Sequence, residues 1–188
     1  MENNLQHTKS DCLRIVLYGP ESTGKTTLAK DLAAYYSAEW VPEFARNFLQ
    51  KKWDKHREVC TLEDLITIAK GQLAAENAAA LKTNEILICD TNILVTKVWS
   101  ETHFDGYCDP EIESILAVTN YDLYILTDID VPWEKDDLRD RPNDRQPMAD
   151  YFKKQLTQYN LPFISVSGRP AERLKKAVFH IDQLLAVK

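Results

Sequence analysis

The sequence predicts an α/β fold, in which helices flank a mainly parallel sheet of five strands. Strand-like and helix-like segments alternate along the chain, the pattern that βαβ units produce. A glycine-containing turn joins the first strand to the first helix, and an apolar strand near mid-chain ends in an acidic residue. We place strands near 13–18, 39–42, 86–90, 121–127 and 162–166, and helices over 25–36, 43–51, 62–82, 92–100, 110–119, 145–158 and 170–186.

The first turn, residues 19–26, reads G-P-E-S-T-G-K-T and matches the nucleotide-binding P-loop G-x-x-x-x-G-K-[ST]. An apolar strand precedes it and a helix follows, which is the context the motif requires; an accidental Gly/Ser/Thr turn is the alternative. Backbone N–H groups and Lys25 would hold phosphates, and the Thr26 hydroxyl would bind Mg²⁺. The predicted ATP-binding residues here are Gly19, Glu21, Ser22, Thr23, Gly24, Lys25, Thr26 and Thr27.

The second strand ends at Val41-Pro42-Glu43, and Arg46 follows three residues after Glu43. A carboxylate at the carboxyl end of a parallel strand faces the ligand crevice, where Glu43 would act as a base and Arg46 would contact the substrate. An i,i+3 surface ion pair between them is the alternative.

The longest helix is predicted to begin at Thr61 with Asp64 as its capping partner, because the segment to Leu81 is rich in helix formers. The next strand, 86–90, ends in Asp90, the pattern of a strand whose acid reaches Mg²⁺ in P-loop proteins. Asp90 is therefore predicted as a metal, substrate and catalytic residue, with a helix N-cap as the alternative.

An irregular segment near 128–147 contains prolines, acids and arginines. We interpret it as a lid whose Arg139 and Arg145, with Arg141 third, would cover the transferred phosphoryl group. A charge-balanced surface loop is the alternative. After the last strand, Gly168 and Arg173 are predicted near the adenine, and Trp99 and Trp133 are candidates for the substrate wall.

Composition limits the possible classes of function. The chain has 188 residues, of which 44% are hydrophobic, and this fits one domain over 1–188 with a polar tail at 1–11. Its net charge of −6 argues against a general nucleic-acid binder. No signal peptide or membrane span is evident. Four scattered cysteines favour neither zinc nor disulfides. We expect a cytoplasmic protein with a small-molecule partner and neither nucleic acid nor membrane; its oligomeric state cannot be read.

Taken together, these segments resemble the ribosylnicotinamide kinase domain of the NadR family. The P-loop part of the match is general, whereas Pro132-Trp133 followed by Asp137-Leu138-Arg139 is more specific. The similar stretches run in order through nearly the whole chain, at 19–29, 41–46, 89–92 with Thr96 and Trp99, 121–124, 130–133, 137–139 with Arg145, and 167–168 with Arg173.

The resemblance implies an adenylate-kinase-like P-loop fold and ATP-dependent phosphorylation of the 5′-hydroxyl of nicotinamide riboside, with ATP and Mg²⁺ as cofactors. Longer family members carry an adenylyltransferase domain, and some a DNA-binding domain, before the kinase. Because the P-loop starts at residue 19, we expect neither activity here. A kinase for another nucleoside or small alcohol, and a regulatory P-loop ATPase that senses nucleotides, remain alternatives. The ATP or GTP preference and the choice of Glu43 or Asp90 as base stay open.

Overall fold

The computed structural model describes residues 5–83 and 85–188 and confirms the predicted α/β class. Residues 1–4 of the predicted polar tail lie outside the described residues. The strands are β1 (Leu13–Tyr18), β2 (Glu39–Val41), β3 (Ile86–Asp90), β4 (Leu123–Thr127) and β5 (Phe163–Val166). The helices are α1 (Lys25–Tyr36), α2 (Phe44–His56), α3 (Leu62–Ala80), α4 (Ile93–His103), α5 (Pro110–Ala117), α6 (Arg145–Gln158) and α7 (Pro170–Ala186).

The sheet has the order β2-β3-β1-β4-β5, and every neighbouring pair is parallel. The chain builds the β2–β3 side after β1 and then crosses to the β4–β5 side. In such open sheets ligands bind where the strand order reverses, outside the carboxyl ends of the strands. The crevice is therefore expected at the end of β1, which is where the P-loop begins.

Both faces of the sheet are buried, as expected for a parallel sheet. Alternate residues of β1 divide between two cores: Ile15 and Leu17 pack with α1 and α7, whereas Val16 and Tyr18 pack towards α4 and α6. A third apolar cluster joins α2, α3, α4 and α5. The period-2 pattern of β1 thus fixes helices on both sides and holds the P-loop rigidly between them.

Helix boundaries agree with prediction to within two residues except at the ends of α2, which runs to His56 and not to residue 51, and of α4, which runs to His103 and not to residue 100. No glycine or proline interrupts 44–56, and the helix ends only where Arg57 adopts a left-handed conformation with φ 59°. The predicted start of α3 is confirmed, since Thr61 and Asp64 form a capping box.

The described part of the tail, residues 5–11, lies against the body of the protein. His7 Nε2 is 3.1 Å from the buried Glu76 carboxylate on α3, and the Thr8 amide donates to Asn77 Oδ1 at 2.7 Å. Within the described residues, no helix is both long enough and apolar enough to cross a membrane.

Candidate active site

A cavity of about 650 Å³ opens at the carboxyl edge of the sheet. All the predicted site residues line it: the P-loop and residues from β2, β3, the lid segment and the β5–α7 turn. Those outside the P-loop are Glu43, Arg46, Asp90, Trp99, Trp133, Arg139, Arg145, Gly168 and Arg173. The topology therefore gathers side chains that are up to about 150 residues apart in sequence.

The P-loop is held by its glycines and by Thr23. Gly19 has φ 138°, and a Cβ there would lie 2.8 Å from Thr127 Oγ1, so only glycine fits this approach to β4. The buried Thr23 hydroxyl is bonded to the Pro20 carbonyl at 2.8 Å and to Thr127 Oγ1 at 2.7 Å. The side chain of Thr23 thus stabilises the loop, and only its backbone remains for a phosphate.

Asp90 is bonded to the P-loop and does not cap a helix. Its Oδ2 accepts a 2.6 Å hydrogen bond from Thr26 Oγ1, while Asn92 caps α4 through the Val95 amide. Asp90 Oδ1 is buried without a hydrogen-bond partner. Burial raises the pKa of Asp90, opposed by the Thr26 hydroxyl and by Lys25. An unpartnered carboxylate oxygen beside a threonine hydroxyl is a donor set that suits Mg²⁺.

Among the described residues no cluster of three His, Cys, Asp or Glu side chains could hold a metal by itself. Mg²⁺ keeps several waters and is usually held by one or two carboxylates together with substrate phosphates, so Asp90 and Thr26 are the residues that could hold it.

Glu43 and Lys25 both line the cavity, and their opposite charges influence each other's pKa. Burial lowers the pKa of Lys25, and the charges of Glu43, Asp90 and Glu21 counteract this. Burial raises the pKa of Glu43, and the charge of Lys25 opposes that shift most strongly. The Glu43 side chain makes no capping bond at the start of α2, so its carboxylate stays available to a ligand.

The alternative of a Glu43–Arg46 surface pair is not what the structure shows. Arg46 Nη2 donates to Asp136 Oδ2 of the lid segment at 2.6 Å. That contact ties α2 to the lid segment and leaves Arg46 half-buried at the edge of the cavity.

The lid segment, 128–144, is irregular as predicted and rests on the P-loop through Ser22. The Ser22 hydroxyl donates to the Pro132 carbonyl at 3.4 Å and accepts from the Glu134 amide at 2.8 Å. Arg145, the first residue of α6, donates to the Ser22 carbonyl at 3.2 Å. The P-loop and the lid segment are therefore in direct contact.

All three predicted lid arginines line the cavity, but they donate to different carbonyl groups. Arg139 donates to the Glu134 carbonyl at 2.6 Å, and Arg145 to the Val131 carbonyl at 2.8 Å with its guanidinium 6.0 Å from the Trp133 ring. Arg141 instead donates to the Thr102 carbonyl on α4 at 2.7 Å. Arg145 is thus bonded directly to the P-loop, whereas Arg139 acts on Glu21 and Lys25 through its charge.

Glu21 is the acid of the P-loop itself, and its Oε2 is buried without a partner. Burial, followed by the charge of Asp140, raises its pKa to about 7. Because the folded state holds this proton above the ordinary value of 4.5, Glu21 favours folding at low pH, and that contribution is lost as pH rises towards 7.

We expect Glu21→Gln to raise the melting temperature at pH 8 and to change it little at pH 4.5. One pKa unit corresponds to about 1.4 kcal/mol, so the gain at pH 8 is at most about 3 kcal/mol. Thermal unfolding of both proteins from pH 4.5 to 8 measures this, with the exposed Glu85→Gln as control. Parallel curves for Glu21→Gln and wild type would contradict the burial argument.

Arg173 is buried, only 3% exposed, and its guanidinium is occupied by the protein. It donates to the carbonyls of Thr23 at 2.6 Å, Gly168 at 2.9 Å and Asp128 at 3.2 Å, and it pairs with the Asp130 carboxylate. Its direct role is to join the P-loop, the lid segment and the start of α7; the predicted adenine contact stays a prediction.

We expect Arg173→Met to destabilise the fold by about 3–5 kcal/mol, because it leaves Asp130 and three carbonyls without their cation. Urea unfolding measures this, and the exposed Lys176→Met on the same helix is the matched control. A loss below about 1 kcal/mol would show that the guanidinium is dispensable to the fold.

His103 is a cavity residue that sequence reasoning missed. Its ring stacks on Trp99 at 3.7 Å between centroids with an interplanar angle of 3°. The i,i+4 spacing of Trp99 and His103 on α4 was the available signal.

Comparison with known proteins agrees with this geometry. A family model described as an AAA domain matches residues 14–173. The trifunctional NAD biosynthesis/regulator protein NadR of Escherichia coli (strain K12) and that of Salmonella typhimurium are each 24% identical over 154 residues, 81% of this chain and 37% of theirs. The chain thus spans well under half the length of the curated relatives it matches.

Solved structures share the fold. A NadR protein in complex with NR superposes with a TM-score of 0.77 at 19% identity, covering 95% of this chain and 53% of that one. A deoxyadenosine kinase from M. mycoides gives 0.67 at 13% identity, covering 91% and 100%. The similarity to NadR inferred from the sequence is confirmed, and with the family match over most of its length the chain belongs to the AAA domain family.

Proposed function

We propose that this chain is an ATP-dependent kinase that phosphorylates the 5′-hydroxyl of nicotinamide riboside to give nicotinamide mononucleotide. The observation that carries the proposal is the meeting, in one cavity, of a P-loop, the Thr26–Asp90 pair and a second carboxylate, Glu43. The similarity to NadR supports the choice of substrate, since a NadR protein was solved with NR and another with NAD and AMP-PNP.

The P-loop would bind the phosphates of ATP. The backbone N–H groups of 19–27 and the N-terminus of α1 would surround the phosphates, with Lys25 as the counter-charge. The Lys25 ammonium now donates to the Pro20 carbonyl at 2.6 Å, so it has to turn to reach a phosphate. Thr26 and Asp90 would hold Mg²⁺, which supplies neutralisation of charge on the β- and γ-phosphates.

Glu43 is our candidate for the base. The reaction forms a bond between the γ-phosphorus and the riboside 5′-oxygen, breaks the bond to the ADP oxygen, and releases the hydroxyl proton to Glu43. A buried carboxylate with a raised pKa accepts a proton more readily than an exposed one. Asp90 is the weaker candidate, because one of its oxygens is already bonded to Thr26.

Charge and exclusion of water come from the lid segment. Arg139 and Arg145 would release the backbone carbonyls they now contact and cover the transferring group, which has a loose, charge-dispersed transition state. Arg46, Trp99 and Trp133 would border the riboside. Closure of such a segment keeps water from competing with the sugar hydroxyl.

A kinase for another nucleoside is the second candidate, because a deoxyadenosine kinase shares the fold over 91% of this chain. A coupled ADP-release assay with Mg²⁺, ATP or GTP, and a panel of ribosides and deoxyribosides separates the two, with products identified by mass spectrometry. We expect riboside-dependent ADP and nicotinamide mononucleotide. ADP release that is indifferent to every nucleoside would overturn the kinase proposal and favour a nucleotide-sensing ATPase.

We also propose that the protein acts in the cytoplasm on a small molecule, without nucleic acid or membrane. The four free cysteines and the net charge of −6 support this.

A further inference from the structure

His103 presents an unused hydrogen-bond acceptor at the cavity wall. Its Nδ1 lies 2.9 Å from Thr102 Oγ1 and 3.1 Å from the Trp99 carbonyl, and the Thr102 hydroxyl itself donates to the Val98 carbonyl at 2.8 Å. Both neighbours of Nδ1 therefore accept, so the ring proton sits on Nδ1. Nε2 is left with its lone pair, buried and without a partner.

The ring is neutral as well as oriented. Its side chain is only 10% exposed, and burial together with the positive charge of Arg141 lowers the pKa of His103, although the Asp140 carboxylate and the Trp99 carbonyl oppose this shift. The Asp140 carboxylate faces Nε2 at 3.5 Å, outside hydrogen-bond geometry. The Asp140 side chain is 56% exposed and open to water, whereas Nε2 of His103 is buried, so an N–H donor from a ligand would satisfy the lone pair of Nε2.

This acceptor pair lies on the riboside side of the cavity. His103 and Trp99 are on α4, which follows β3, and β3 lies beside the β2 strand that leads to Glu43. The predicted adenine residues follow β5, at the other end of the sheet. Because His103 covers one face of Trp99, a riboside ring that borders the edge of Trp99 would have its substituent near His103 and Asp140, which also line the cavity.

We propose that His103 and Asp140 select a ring carboxamide over a ring carboxylate by accepting the two N–H bonds of the amide. The inference rests on the proposed riboside kinase function and narrows its acceptor to amides. A primary amide nitrogen has two donors, one for the imidazole lone pair and one for the carboxylate. A carboxylate in the same place has none and adds a second negative charge beside Asp140.

The lid segment makes room for the amide. A nitrogen bonded to two acceptors at about 2.9 Å each places them roughly 5 Å apart, more than the present gap. His103 is fixed on α4, whereas Asp140 lies in the irregular lid segment. Asp140 can therefore move away from Nε2 from the present 3.5 Å to the roughly 5 Å that a bridging amide nitrogen requires. Arg141 is the nearby cation that a carboxylate would seek, but it already donates to the Thr102 carbonyl and lies 3.8 Å from Asp144.

The test compares kcat/KM for nicotinamide riboside and for nicotinic acid riboside, whose ring carries a carboxylate. We expect wild type to favour the amide by at least about 30-fold, since a buried acceptor left unpaired weakens binding strongly. His103→Phe keeps a flat ring on Trp99 but removes Nε2, and it should lower the amide-to-acid ratio by about tenfold or more. Asp140→Asn, which supplies a donor, should lower the ratio by raising activity on the acid.

Asp137→Asn is the matched control, because it removes the same charge from the lid segment and lies outside the cavity lining; its ratio should equal that of wild type. Circular dichroism checks that His103→Phe is folded, and the exposed Asp140 tests the idea independently of that variant. The inference is overturned, while the kinase proposal stands, by any of three results. These are equal use of both ribosides by wild type, preference of wild type for the acid, and an unchanged amide-to-acid ratio in both variants. Failure to phosphorylate either riboside overturns both.

Discussion

Lys25→Ala is expected to lower kcat/KM by at least about 10²–10³-fold while leaving the fold intact. Removal of a single preorganised donor to developing charge costs about that much in other enzymes, and Lys25 is the P-loop's only ammonium. The variant also leaves Glu43, Asp90 and Glu21 without the cation that counteracts their repulsion. We therefore expect weaker ATP binding together with slower phosphoryl transfer.

The variant should stay folded because, within the part of the chain that the structure describes, the Lys25 side chain makes a single hydrogen bond, to the Pro20 carbonyl. Steady-state kinetics and thermal unfolding are measured together. The control is Lys70→Ala, which removes a half-exposed lysine of α3 that pairs with Glu111 of α5. Turnover like that of wild type in Lys25→Ala would remove the P-loop from the mechanism.

The fold was predictable because its signals are local. All six residues of β1 are buried, and all but Arg14 are apolar, as in a strand buried on both faces. The P-loop motif determines the turn that follows. The end of α2 was wrong by five residues because 44–56 has no breaker, and its stop depends on the left-handed Arg57. A left-handed arginine has no sequence signature comparable to that of glycine.

The sequence predicted which residues line the cavity, but not which hydrogen bonds and ion pairs they form. The carboxyl ends of parallel strands meet at one edge, so Glu43 and Asp90 had to approach the P-loop once the strands were assigned. The contacts themselves depend on how the irregular lid segment packs over the sheet. Examples are the pairing of Arg46 with Asp136 and the bond from Arg173 to the Thr23 carbonyl. Such packing has no periodicity that a sequence can reveal.

Glu43→Gln and Asp90→Asn are expected to impair the reaction in different ways, and the difference identifies the base. Glu43→Gln keeps shape and volume but removes the proton acceptor, so kcat should fall by about 10²–10⁴-fold with KM for ATP nearly unchanged. Asp90→Asn should raise the Mg²⁺ concentration needed for half-maximal rate, because it weakens a metal ligand.

The pH profile of kcat/KM for the riboside sharpens the comparison. A base must be deprotonated to act, so wild-type activity should rise with pH through the raised pKa of Glu43. That acidic limb should vanish in Glu43→Gln and persist in Asp90→Asn. The opposite pattern would make Asp90 the base and leave Glu43 to orient the sugar. Because burial opposes ionisation of Glu43, the glutamine variant should also be the more stable protein above neutral pH, the cost in stability that a functional buried carboxylate carries.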